Sequence, residues 1–189
     1  MKWIFFIALL VVANMVFAQG SIEKTPFERK GFFIGFGLGA GTLTLNHNDT
    51  IQTSFSATLP NIKFGWMISN RIALQAILPG ATYKYGGKDR GFEGIIISGQ
   101  YWLKDKWWLM GGTGVTFDAP AFYTVQSPNS AGFYTGIPAF TFATGYEVWR
   151  KDKFALDVQY RVFLGQSSLS NNQQRQGISN MFIIGFNWY

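Results

Sequence analysis

From Gly31 to the last residue the apolar side chains recur at every second position, and no stretch sustains helical spacing. A period of two places alternate residues on opposite faces of a strand, so nearly the whole chain must fold as sheet with different surroundings on its two sides. Eight such runs are distinguishable. In the first, Phe32, Ile34, Phe36 and Leu38 alternate with glycines 35, 37, 39 and 41. Ile62, Phe64, Trp66 and Ile68 form the second, and Ile72, Leu74, Ala76 and Leu78 begin a third that continues to about Tyr85. Ile95, Ile97, Tyr101 and Leu103 mark the fourth, and Leu109, Val115 and Phe117 a glycine-rich fifth beginning at Trp107. Tyr134, Phe140, Phe142, Tyr146 and Val148 mark the sixth. The seventh alternates most regularly, with Phe154, Leu156, Val158, Tyr160, Val162 and Leu164 against Asp157, Gln159 and Arg161. The eighth holds Phe182, Ile184, Phe186 and Trp188. An even number of alternating strands predicts an all-β chain closed as an eight-stranded antiparallel up-and-down β-barrel.

Connection lengths alternate too. Ser69-Asn70, Lys104-Asp105-Lys106 and Arg150-Lys151-Asp152-Lys153 are tight turns, whereas residues 46–57, 85–91, 118–132 and 165–176 read as longer loops. Short turns at one end and long loops at the other are the plan of a transmembrane barrel. Upstream, Met1-Lys2, the apolar run Trp3 to Ala13 and Val16-Phe17-Ala18 have the form of a signal peptide. Residues 1–18 are therefore expected to be removed, 19–30 to form a short periplasmic segment, and 31–189 to form the barrel.

Charge placement separates a membrane barrel from a soluble one. Only Lys63, Glu147, Asp157 and Arg161 fall well inside the expected strands, on the face opposite the apolar run. A lysine or arginine facing lipid at mid-membrane costs about 2–4 kcal/mol, which an apolar outer face avoids. Those four, with Gln75, Gln100 and Gln159, are expected to line the lumen as a polar network, its charges paired because they are buried. A paired plug is the first reading of that network and a gated ion path the other. Trp66, Trp102, Trp107, Trp108, Trp149 and Trp188 all lie at strand ends beside the short turns, the placement of an aromatic girdle at a membrane interface. Tyr83, Tyr85, Phe92, Phe117, Tyr123, Phe133 and Tyr134 are expected to form a second belt at the other rim. The glycine face of the first strand is expected to leave room for Arg161 and Gln159.

With these features the chain resembles the small eight-stranded outer-membrane proteins, of the OmpA transmembrane domain and OmpX type, over Gly31 to Tyr189. The resemblance implies the outer membrane of a Gram-negative bacterium, a monomer, and contact with outer-membrane lipids and lipopolysaccharide. The final Phe182-Ile183-Ile184-Gly185-Phe186-Asn187-Trp188-Tyr189 is similar to the aromatic-ended strand read by the barrel-assembly machinery, with the outward phase falling on Trp188 rather than on the last residue. An eight-stranded interior is filled by side chains, which excludes a wide porin-like pore.

Composition narrows the chemistry further. The chain has no cysteine and one histidine, His47, so thiolate and two-histidine metal sites are excluded, and no cofactor is expected. The formal charge of +6 falls to +5 when Lys2 leaves with the signal peptide, and that excess collects on the short-turn side, where anionic phospholipid headgroups are its counterions, so nucleic acid is not an expected partner. Gly35, Gly37 and Ala40 match a loose dinucleotide-binding pattern, but Thr42-Leu43-Thr44-Leu45 continues as strand where that mechanism requires a helix. The expected role is structural or surface-interacting, with no enzyme activity, and Phe122, Tyr123 and Val125 of the third loop form either a packed cap over the barrel or an adhesive patch. The alternative is an outer-leaflet lipid A enzyme of the PagP or PagL type, with His47 as the weak catalytic candidate beside Asp49, Ser54 and Ser56. His47 lacks the His-x-Ser spacing of the deacylases.

Overall fold

The alternation is realised as ten strands in one antiparallel sheet: β1 (Gly31–His47), β2 (Thr50–Ala57), β3 (Asn61–Ser69), β4 (Ile72–Ile77), β5 (Gly80–Tyr85), β6 (Lys88–Trp102), β7 (Trp107–Pro120), β8 (Tyr134–Lys151), β9 (Phe154–Ser168) and β10 (Gln174–Trp188). The computed structural model describes residues 27–47, 50–58, 61–121, 132–169 and 173–189. The expected signal peptide, most of the segment before β1, Asp49, and Phe122, Tyr123 and Val125 lie outside them.

Ten strands occupy eight places in a closed ring. Going round, β1 pairs with β3, β3 with β4, β4 with β6, and β6 through β10 follow in order. Pairing of β10 with β1, from Ile34 with Trp188 to His47 with Arg175, closes the circle. Two places are shared. β3 covers the lower part of β1 and β2 the upper part; likewise β4 covers the lower part of β6 and β5 the upper. The second interruption falls at Leu78-Pro79, where proline brings no N–H to a ladder. Residues 50–57, expected in a loop, are strand, with His47 paired to Thr50, and Gly86-Gly87 makes the tight turn from Tyr85 to Lys88. Gly86 and Gly87 both adopt positive φ there, a conformation glycine takes without steric cost.

At this upper level the wall has a seam. Among the described residues no ladder joins β2 to β5. Their contacts are side chain to backbone: the Ser56 hydroxyl donates to the Thr82 carbonyl at 2.5 Å, and the Thr82 hydroxyl donates to the Ala57 carbonyl at 3.3 Å. Amides along the seam are expected to exchange with deuterium faster than those of β8 and β9, by about fivefold for each net hydrogen bond of about 1 kcal/mol forgone. Equal protection, measured by exchange mass spectrometry on the folded barrel, would show that the seam is zipped in solution.

The outward phase forms a continuous apolar band. It carries Phe32, Ile34, Phe36 and Leu38 on β1, Phe64 and Trp66 on β3, Ile95 and Ile97 on β6, and Phe182, Ile184 and Phe186 on β10, all exposed. Among the described residues no charged side chain interrupts it from the short turns up to Glu93, which is half-buried at its outer edge. A bulge between Glu147 and Trp149 turns both Val148 and Trp149 outward. Such a surface is the reverse of a soluble protein's and matches a hydrocarbon environment.

Candidate functional site

The inward phase packs the lumen in layers, and polar clusters occupy three of them. At the short-turn end Glu147 is fully buried and accepts four side chains. Arg29 reaches it through Nη2 at 2.7 Å and Nε at 3.3 Å, Arg150 through Nε at 2.5 Å, the Trp102 indole at 3.0 Å and the Tyr189 hydroxyl at 3.1 Å. Arg150 also bridges Asp105 at 2.8 Å, and the Arg29 guanidinium lies 4.6 Å from the Trp102 ring. Two cations surround one buried carboxylate at this end of the barrel, with aromatic faces against them.

Lys63, Asn61, Asp157, Gln159, Arg161 and Asn187 meet in the next layer. Asp157 accepts from Gln159 at 2.7 Å and from Asn187 at 3.0 Å. Arg161 donates to Gln159 at 2.9 Å and to Asn61 at 2.5 Å, while the Lys63 ammonium lies 5.5 Å from the Trp108 ring. Gln75 donates to Gln100 at 3.1 Å and to the Met110 sulfur at 3.0 Å. All seven expected lumen residues are thus buried, divided between two layers: Glu147 stands with the turn-end cluster although it directly faces Asp157 in the β8–β9 register. An apolar layer follows, in which the Phe92 and Phe163 rings lie 5.5 Å apart. A Cβ on Gly177 would stand 2.5 Å from the Phe92 ring and one on Gly94 2.8 Å from the Phe163 ring, so glycine makes room for both.

The third cluster lies toward the other end. Asp118 accepts from Arg90 Nε at 2.8 Å, Arg175 Nη1 at 2.5 Å and the Tyr83 hydroxyl at 2.8 Å. Arg90 continues to the Gly132 carbonyl at 2.7 Å, and Arg175 stacks 4.5 Å from the Tyr85 ring.

Several expectations need correction. Trp102 and Trp108 are 1% and 0% exposed and point into the barrel, so the outward tryptophans at the turn end are Trp66, Trp107, Trp149 and Trp188. Adjacent inward positions of β6 and β7 carry them, and proximity to a turn does not by itself report a residue's face. Tyr83 and Phe92 likewise leave the outer belt for the lumen. Room beside Gly35 is taken by Lys63 and Asn187; Gln159 lies against Gly185 instead. Arg90, Asp118 and Arg175, expected in loops, point inward because the strands run several residues further than the apolar pattern. Their signal was parity alone: each continues the inward phase of its strand, as does Tyr189 after Asn187. His47 and Ser54 are not brought together. His47 pairs with Thr50, whereas Ser54 faces Leu43, four residues or about 13 Å lower on β1 at about 3.3 Å per residue. Ser56 is engaged with Thr82.

A ring of eight antiparallel strands with an apolar exterior and a polar, side-chain-filled lumen defines the class of small outer-membrane β-barrels. No family model matches the chain, and no curated protein does. Among solved structures it is similar to the crystal structure of Neisserial surface protein A, with 19% identity, a TM-score of 0.58, and coverage of 84% of this chain and 96% of that one. Ail of Yersinia pestis matches at 9% identity and a TM-score of 0.48, covering 83% of this chain and 99% of its own. OprG of Pseudomonas aeruginosa matches at 11% and 0.45, covering 87% and 98%. At such identities the likeness to the Neisserial protein shows the fold and no more.

Proposed function

We propose that the chain is an integral outer-membrane barrel whose lumen is a structural plug and whose work is done by its outer surface, in envelope structure and contact with lipopolysaccharide or other surface partners. The observation that carries this reading is the occupancy of the lumen. Three polar clusters, the third set apart from the other two by the Phe92–Phe163 layer, fill the interior with groups most of which bond one another, while among the described residues Gln75 Oε1, Gln100 Nε2, Arg161 Nε and Asn187 Oδ1 are buried without a partner. A conducting path requires water or ions to replace those contacts, and a buried carboxylate such as Glu147 loses several kcal/mol of compensation when its partners leave. The membrane band supports placement in a bilayer, with β10 as the strand offered to the assembly machinery. A catalytic role has less support, because the backbone separates His47 from Ser54.

Purified protein reconstituted into planar bilayers is the test, after an unboiled sample has shown the altered gel mobility of a folded barrel. No stepwise conductance is expected. Regular single-channel steps would overturn the plug. A lipid A mass spectrum from cells with and without the protein is expected to be unchanged; a shift that disappears with His47→Ala would replace this reading with the enzymatic one.

A further inference from the structure

A groove of about 560 Å³ opens on the outside of the barrel at the turn between β6 and β7, lined by Lys104, Asp105, Lys106, Trp107 and Tyr146. Trp107 and Tyr146 are cross-strand partners, both outward-facing, at the turn-side edge of the apolar band. The indole is held in place by donation from its Nε1 to the Thr144 hydroxyl at 2.8 Å. Directly beyond them the same face continues as Leu109 and Tyr101, a paired apolar strip. The turn itself is closed by the Lys104 amide on the Trp107 carbonyl, which sets the two lysines beside the ring pair.

The charges in this groove are unequal. Asp105 directs its carboxylate to Arg150, at 2.8 Å, and Arg150 is in turn held by Glu147. Among the described residues no carboxylate oxygen lies within 4.0 Å of either lysine's ammonium. Two uncompensated cations above an aromatic pair, above an apolar strip, match in order the parts of a lipid with an anionic headgroup: phosphate, glycerol ester and acyl chain. Tryptophan and tyrosine favour the ester level of an interface, and basic residues near the surface attract anionic headgroups.

We propose that this groove binds one anionic glycerophospholipid of the periplasm-facing leaflet, with Lys104 and Lys106 on its phosphate and Trp107 and Tyr146 against its glycerol ester. The site rests on the membrane placement proposed above. A compensating ammonium makes phosphatidylethanolamine the weaker ligand, so the site discriminates between headgroups.

The test is native mass spectrometry of the full barrel released from nanodiscs containing equal amounts of phosphatidylglycerol and phosphatidylethanolamine. The wild-type protein is expected to retain phosphatidylglycerol preferentially. Lys104→Gln with Lys106→Gln is expected to lower that preference by about 25-fold, at about fivefold for each lysine. The charge-preserving pair Lys104→Arg with Lys106→Arg is expected to keep it, and so is Lys151→Gln with Lys153→Gln in the turn between β8 and β9. Absence of headgroup preference in the wild type would overturn the proposal. Equal loss in the Lys151 and Lys153 variant would replace the site with diffuse rim charge, and displacement of the lipid by inorganic phosphate alone would reduce it to a free-phosphate site. Failure of the membrane reading is distinguishable, because the protein would then show no heat-dependent gel shift and would not enter nanodiscs.

Discussion

Glu147→Ala is expected to destabilise the barrel by about 3–5 kcal/mol, the range for removing one partner from a buried ion pair. The residue is fully buried, and its loss leaves the Arg29 guanidinium without its carboxylate partner, Arg150 with Asp105 alone, and the Trp102 indole and the Tyr189 hydroxyl without this acceptor. Glu147→Gln keeps an acceptor oxygen but removes the charge, and should fall between the wild type and alanine. The urea midpoint of the barrel folded into lipid vesicles reports the difference. A midpoint unchanged by Glu147→Ala would mean that the cluster is hydrated and that its geometry contributes little to stability.

The second large effect is expected at the opposite end. Asp118→Ala leaves Arg90, Arg175 and Tyr83 without their common acceptor and should cost about 2–3 kcal/mol, less than at Glu147 because the mouth of the barrel lies nearer to water. Removing the mismatch should help. Asp118→Ala combined with Arg175→Met is expected to be less destabilised than Asp118→Ala alone, since one orphaned cation is withdrawn. Strict additivity of the two substitutions in the same unfolding assay would show that Asp118 and Arg175 are not coupled, against the 2.5 Å contact between them.

Which strands form, and which faces them outward, follows from local chemistry. Phe182, Ile184 and Phe186 against Ile183 and Gly185 do not reveal by hydrophobicity alone which face meets lipid, yet the charges Asp157 and Arg161 on the neighbouring strand settle it, because the outer face does not accommodate them. Strand ends were less legible. Apolar alternation stops near Leu38, but β1 continues to His47 through Ala40, Thr42, Thr44 and Asn46 on its outward side. Ladder hydrogen bonds with β2 and β10 carry it onward where no hydrocarbon requires apolar side chains.

The residues of the sequence by themselves therefore determined the class: an all-β chain with one apolar and one polar face, tight turns at one end, and seven polar side chains directed inward. Only the closed ring decided which of those side chains meet. Glu147 and Asp157 face each other across β8 and β9, yet one is neutralised by Arg29, 118 residues away in sequence, and the other is held by Asn187. The same closure turned Trp102 and Trp108 inward and placed Arg90, Asp118 and Arg175 in one cluster. The physical reason is that alternation is a property of single strands. Partnership across a lumen depends on the register and stagger of all eight places in the ring, and no local pattern encodes it.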